Sequence, residues 1–238
     1  MFASFPEQIN AISSQRQLVA KQPEKENKII ELMADSFDIN LAEENLYNFL
    51  FQNTDIDFLQ EVIKWTEDPL VKRIFEEEKG SSGLERQADL LHYIADLQMD
   101  PPSQDRITIV QDMEKTLQLS HLTTNIFIGM MQGMAKSINS ILPDDKRRRN
   151  NDIQDEIMKT KPLLKETYRR QMILSLFYIY RNVSNEELKE YMMFYKSNIG
   201  KREIEVKGKA IAFVLEQWQL DLKEELIILA REEFENSK

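Results

Sequence analysis

A chain of 238 residues with a formal charge of -10 and a pI near 4.9 is long enough for one large domain or two small ones. Its acidity disfavours nucleic acid and anionic membrane surfaces as partners, because binding to either draws on Lys and Arg to neutralise phosphate. The absence of cysteine removes thiol nucleophiles, thiolate metal sites and disulfides together and leaves the redox compartment open.

Only 6 Gly and 7 Pro interrupt a chain that is 42% hydrophobic and 30% charged, so long helices with few loops are expected. Apolar residues recur at helical spacing nearly throughout, without the sustained alternation of a strand. The pattern predicts an all-α fold of about ten helices, a multi-helix bundle in two halves, 1–100 and 101–238, with a long C-terminal helix. The N-terminus, Met1 to Glu7, lacks the basic start and unbroken apolar stretch of a signal peptide. A periplasmic or exported setting is expected if such a segment was removed, and a cytoplasmic one otherwise. The longest apolar run, Met172 to Tyr180, is too short to span a bilayer, which predicts that this is not an integral membrane protein.

In chain order, the first helix is expected from Glu7 to Ala20. A second follows Pro23 and buries Ile29, Ile30, Leu32 and Met33. Asn40 is the expected cap of a third helix that carries Leu46, Phe49 and Leu50 and ends near Asn53. Asp55 then caps a helix from Ile56 to Thr66, with Leu59, Val62, Ile63 and Trp65 as its apolar face. Asp68 and Pro69 read as a cap followed by a first-turn proline, which has no amide to waste there and a φ already helical; this helix stops at Gly80 to Gly83. The next runs from Leu84 to Gln98 and closes at Asp100-Pro101-Pro102.

Ser103 caps the following helix, and another spans Ser120 to Leu142. A polar linker, Pro143 to Asn151, contains the basic run Lys146 to Arg149, which no aromatic residue interrupts and which reads as a solvated loop. Asp152 opens a helix to about Asn182, with a kink or break expected at Pro162. Ser184 and Glu187 have the spacing of a capping box, ahead of a helix that presents Leu188, Tyr191, Met192 and Tyr195 on one face and ends around Asn198. The last helix, Ile199 toward Phe234, spaces Ile204, Ile211 and Trp218, and then Leu215, Leu222 and Leu229, seven apart, a coiled-coil-like seam that Gly208 interrupts. At about 35 residues it would span roughly 50 Å.

A shift of 129 positions lays Asn53, Leu59, Glu61, Lys72 and Arg73 on Asn182, Leu188, Glu190, Lys201 and Arg202, and brings Trp65 onto Phe194. This suggests an internal repeat of a helical hairpin. In the second copy, Val183 to Glu190 is followed by Phe194-Tyr195-Lys196-Ser197 and Ile199-Gly200-Lys201-Arg202. The pattern resembles a bacterial family of small, mostly exported helical proteins known only as a domain of unknown function. The match is best over 180–202 and looser from Ile107. It lacks the proline frequent before the Gly-Lys step, having Asn198-Ile199 there, while Pro69 holds the corresponding slot of the first copy. The resemblance implies a helical fold and a periplasmic setting, with no activity attached. On physical grounds Leu188 and Phe194 are packing residues beside Tyr195, Gly200 permits a tight corner, and Lys201 and Arg202 cover it.

Candidates for chemistry are few. His92 shares a helical face with Asp89 and Asp96, a spacing that suits a metal but also a plain polar stripe. His121 has no carboxylate neighbours suited to a site, and Glu76 to Glu78, Glu186, Glu187 and Glu190 read as solvated faces or cap groups. No phosphate loop, nucleophile elbow or zinc-type His pair occurs, so neither cofactor nor metal is expected. The Met-rich segment around Phe127, Met130, Met131 and Met134 includes Gly129 and Gly133, four apart, which allow another helix to approach closely. It is either a central core helix or a groove for an apolar ligand or partner helix. The chain therefore reads as a non-enzymatic protein-interaction or structural protein, with a protein partner or a homodimer expected. The alternatives are a helical carrier that binds an apolar ligand beside the methionines, and a carboxylate-dependent hydrolase, which would need a deep cleft.

Overall fold

The structure is a computed structural model that describes residues 31–32, 35–81, 86–141, 145 and 147–236; among these, the side chains of 87, 134, 137, 138, 140, 141 and 229–236 lie outside the description. The described residues are all-helical, with nine long helices and no strand. The expected helices at Glu7 to Ala20 and after Pro23 fall outside them, apart from Glu31 and Leu32. No helix among the described residues is long and apolar enough to cross a membrane.

Helix α1, Ile39–Asn53, corrects the expected cap. Asp38, not Asn40, supplies the oxygen: its Oδ1 accepts the amides of Asn40 at 2.8 Å and Leu41 at 3.2 Å. Helix α2, Ile56–Thr66, opens where Asp55 accepts the Phe58 amide, and α3, Pro69–Gly80, opens where Asp68 accepts the amides of Leu70 and Val71 with Pro69 at the first position. Each such cap stabilises a helix by about 1 kcal/mol. The face of α2 is a second correction, because Phe58 is its buried residue whereas Leu59 and Ile63 are exposed.

Helix α4, Gln87–Met99, leads to Ser103, whose Oγ accepts the Arg106 amide and starts α5, Gln104–Leu117. A single residue, Gln118, separates α5 from α6, Leu119–Ile141; its φ of 53° places it in the left-handed region, uncommon for a residue other than glycine. The buried Glu114 side chain accepts the Ser120 amide at 3.1 Å, which satisfies one of the free amides at the start of α6.

Helix α7, Asn150–Ile179, runs through Pro162 without a break and ends three residues before the expected Asn182. Pro162 lies on an exposed face, where the helix loses one hydrogen bond without burying the carbonyl left over. The capping box of Ser184 and Glu187 opens α8, Asn185–Lys196, and Ser197 alone separates it from α9, Asn198–Asn236.

The described residues form two compact units, one drawn from 1–52, 126–160 and 210–238, the other from 53–125 and 161–209. They are not the consecutive halves expected at 1–100 and 101–238, because α6, α7 and α9 each contribute to both units. In the first unit, Phe37, Ala42, Met130, Val214, Leu215, Trp218, Leu222 and Leu226 make a core. The Trp218 indole donates to Ser36 Oγ at 2.9 Å, and Phe37 meets its ring edge-on at 5.8 Å. In the second unit the core gathers Val71 and Ile74 from α3, Ile109, Val110 and Met113 from α5, Leu176 and Phe177 from α7, and Leu188, Tyr191, Met192 and Tyr195 from α8.

Candidate functional site

The densest chemistry lies in the second unit, where the hairpin of α2 and α3 meets that of α8 and the start of α9. Their local signals agree residue for residue at the shift of 129 positions. Asp55 accepts the amide of Phe58 at 2.8 Å, and Ser184, 129 residues later, accepts the amide of Glu187 at 3.3 Å. Asp68 accepts the amide of Val71 at 3.4 Å, and Ser197 accepts that of Gly200 at 3.0 Å. Caps are side-chain features, so this agreement is independent of the apolar pattern that any two amphipathic helices share.

The two hairpins contact each other through equivalent residues. Trp65 and Phe194, equivalent under the shift, stack with ring centroids 3.9 Å apart and planes 7° from parallel. Arg202 reaches the start of α2, where it pairs with Asp55 at 2.7 Å and lies 4.4 Å over the Phe58 ring. Its equivalent, Arg73, pairs with Glu187 at the start of α8, and Glu187 is the equivalent of Phe58. The two arginines, 129 positions apart, thus each pair with a carboxylate at the start of the other hairpin.

The flanking carboxylates are tuned by these contacts. The Phe58 amide and then the Arg202 guanidinium hold Asp55 below its ordinary range, and the Ser184 amide and hydroxyl, with Arg73, do the same for Glu187. A carboxyl whose pKa is lower in the folded than in the unfolded chain adds stability above its unfolded value and loses it as pH falls through the folded value. With unfolded values of about 3.9 for Asp and 4.3 for Glu, that contribution is present at neutrality and fades as pH drops below about 4. The double variant Arg73→Gln, Arg202→Gln is therefore expected to have a lower urea midpoint than the parent near pH 7 at low salt, with the difference shrinking as pH falls below about 4 or in ~1 M salt. A difference that stays the same as the pH is lowered would contradict the assignment.

A cluster of tyrosines lies beside the stacked rings. Glu78 Oε1 accepts the hydroxyls of Tyr180 at 2.6 Å and Tyr191 at 3.0 Å, and Tyr191 is 3.3 Å from the Tyr195 hydroxyl. Burial, reinforced for Tyr180 and Tyr191 by the nearby Glu78 charge, pushes these hydroxyls above their ordinary range. They remain neutral donors, which suits a packed polar core better than proton transfer. Arg106 of α5 ties the same region together: half-buried, it donates to the carbonyls of Tyr180 at 2.5 Å and Val183 at 2.9 Å, and to Asn185 Oδ1 at 3.1 Å. It closes the end of α7 and had no signal in the sequence.

Leu188 and Tyr195 are buried and Phe194 is partly so, Lys201 is exposed, and Gly200 sits where an added Cβ would run into the Phe194 carbonyl oxygen and come within 2.5 Å of Tyr195 Cα.

The Met-rich segment divides. Met130 is buried in the core of the first unit, Phe127 and Met131 are partly buried, and the Met134 side chain lies outside the described residues. At Gly133 the approach is close, with Gln219 Cδ 2.6 Å from where a Cβ would stand, whereas Gly129 has open space.

Of the other candidates, His92 and Asp96 are exposed and Asp89 pairs with Arg86 at 3.3 Å; no group of three metal-ligating residues occurs among the described residues. Glu77 accepts from Asn182 at 3.0 Å. Arg148 and Arg149 of the basic run pair with Glu156 and Asp152 at the start of α7. A surface groove of about 540 Å³ at the α5–α6 corner is lined by Lys115, His121, Lys165 and Arg169, with Glu114 and Ser120. Arg169 is already paired with Glu166 at 2.9 Å, and Glu114 with the Ser120 amide. No family model, curated protein or solved structure matches this chain.

Proposed function

We propose that this chain is a non-enzymatic helical interaction protein and that a second copy of itself is one of its partners. The observation that carries the reading is an aromatic pair on the outside of α1: Tyr47 and Phe51, one turn apart, are 71% and 86% exposed. Large rings left in water in this way suit a contact face, where aromatic residues contribute most of the binding energy. On α9, Leu220 and Ile228 are also exposed. The burial of Met130 moves the expected surface away from the Met-rich helix and leaves the apolar-carrier alternative without its central residue. Tyr180, Tyr191 and Glu78 are engaged with one another rather than converging on an open cleft, which speaks against the hydrolase alternative.

We infer further that the hairpins of α2–α3 and α8–α9 are two copies of one unit; the matched caps, the reciprocal arginines and the Trp65–Phe194 stack support this. Light scattering across a concentration series tests self-association. A mass near twice 28.1 kDa is expected, returning to that of one chain in the Tyr47→Glu, Phe51→Glu variant. A single-chain mass at every concentration contradicts a self-associating chain.

A further inference from the structure

We propose that the outward face of α2 is a docking site for a basic amphipathic helix of another protein, which lies across it as α5 lies across α8. The proposal rests on the reading of the hairpins as copies and of the chain as an interaction protein.

On α8, the residues Asn185, Leu188, Lys189, Met192 and Lys196 form one face, and α5 covers it. Leu188 and Met192 are buried in the same core cluster as Ile109, Val110 and Met113 of α5. Asp105 of α5 accepts from Asn185 at 2.9 Å and from Lys189 at 3.2 Å, and Asp112 meets Lys196 at 2.5 Å. The same positions on α2, 129 earlier, are Ile56, Leu59, Gln60, Ile63 and the adjoining Glu67, and all five are exposed. Ile56 is 72% exposed and Ile63 56%, while Leu188 has no exposure at all. The opposite side of α2, with Phe58 and Trp65, is occupied by Arg202 and Phe194. Helix α2 is thus apolar on both sides, and among the described residues only one side is covered.

The charges select the occupant. Where α8 has Lys196, met by an aspartate of α5, α2 has Glu67, so a helix seated in the same register needs Lys or Arg where α5 has Asp112. Asn185 and Lys189, both held by Asp105, are replaced by Ile56 and Gln60, which removes the need for an acid at that position. Pairing α2 with α2 of a second copy is unfavourable on charge, because Lys64 is the single basic residue of α2 against Asp57, Glu61 and the adjoining Glu67.

The test uses the full chain and a fluorescent helical peptide, residues 103–117 of this sequence carrying Asp112→Lys, with the unmodified peptide as comparison. Anisotropy is expected to show saturable binding, at least about fivefold tighter for the lysine peptide, and weakened about tenfold or more by Ile56→Lys with Ile63→Lys in the chain. These residues are exposed, so circular dichroism should confirm that the variant keeps its helicity. Absence of saturable binding, equal affinity for the two peptides, or binding indifferent to the α2 variant overturns the proposal. Light scattering of the α2 variant separates the surfaces: if it abolishes self-association while Tyr47→Glu, Phe51→Glu does not, the α2 face belongs to a second copy and the basic-helix partner is rejected. If the chain proves monomeric but the peptide binds through α2, self-association fails and the docking site stands.

Discussion

Gly200→Ala is expected to destabilise the folded chain by about 3 kcal/mol or more, read as a fall in urea midpoint with an unchanged slope. The reason is steric. The corner between α8 and α9 has the single residue Ser197, so the first turn of α9 folds back onto the last turn of α8. A Cβ at Gly200 meets the Phe194 carbonyl oxygen and stands 2.6 Å from its carbon and 2.5 Å from Tyr195 Cα. These are backbone atoms, which cannot swing aside as a side chain would. The corner between α2 and α3 shows the contrast, because it uses both Glu67 and Asp68, and the residue 129 positions before Gly200 is the buried Val71. Two other glycines grade the effect. Gly129→Ala has open space in mid-helix and should be neutral or stabilising by up to about 1 kcal/mol. Gly133→Ala meets only the end of the Gln219 side chain, which can turn to another rotamer, so its cost should fall between the two.

Leu188→Ala is expected to cost about 3 to 5 kcal/mol, the range for a leucine removed from a closed core site. Leu188 is fully buried in the cluster with α5, which also holds Val110, Tyr191 and Met192. Its equivalent Leu59, on the open side of α2, should lose less than about 1 kcal/mol on the same change, as surface substitutions do. Similar costs for Leu188→Ala and Leu59→Ala would show that α2 is covered after all and would remove the basis for a docking face.

Much of this was legible in the sequence, and the misses have physical causes. The caps at Asp55, Asp68, Ser103 and Ser184 were readable because each is a cap-forming residue directly ahead of an apolar periodic run. The face of Leu188, Tyr191, Met192 and Tyr195 was readable because one stripe of α8 is apolar. On α2 two stripes are apolar, Phe58 with Val62 and Trp65, and Ile56 with Leu59 and Ile63; periodicity finds both and cannot say which one packs. Asp38 and Asn40 are both good caps two residues apart, and only the backbone decides between them. The left-handed Gln118 gave no signal, since neither Gly nor Asn marks it. The sequence also placed Met130 in an apolar helix without distinguishing core from groove, a choice that depends on Val214, Trp218 and Leu222, more than 80 positions away.

The hairpins of α2–α3 and α8–α9 meet most directly at the stack of Trp65 on Phe194, residues 129 positions apart. A double-mutant cycle of Trp65→Ala and Phe194→Ala, followed by urea unfolding, should give a coupling of about 1 kcal/mol, as expected for a stacked aromatic pair. Losses that simply add, to within about 0.3 kcal/mol, would mean that the two rings do not touch and that the paired arrangement is wrong.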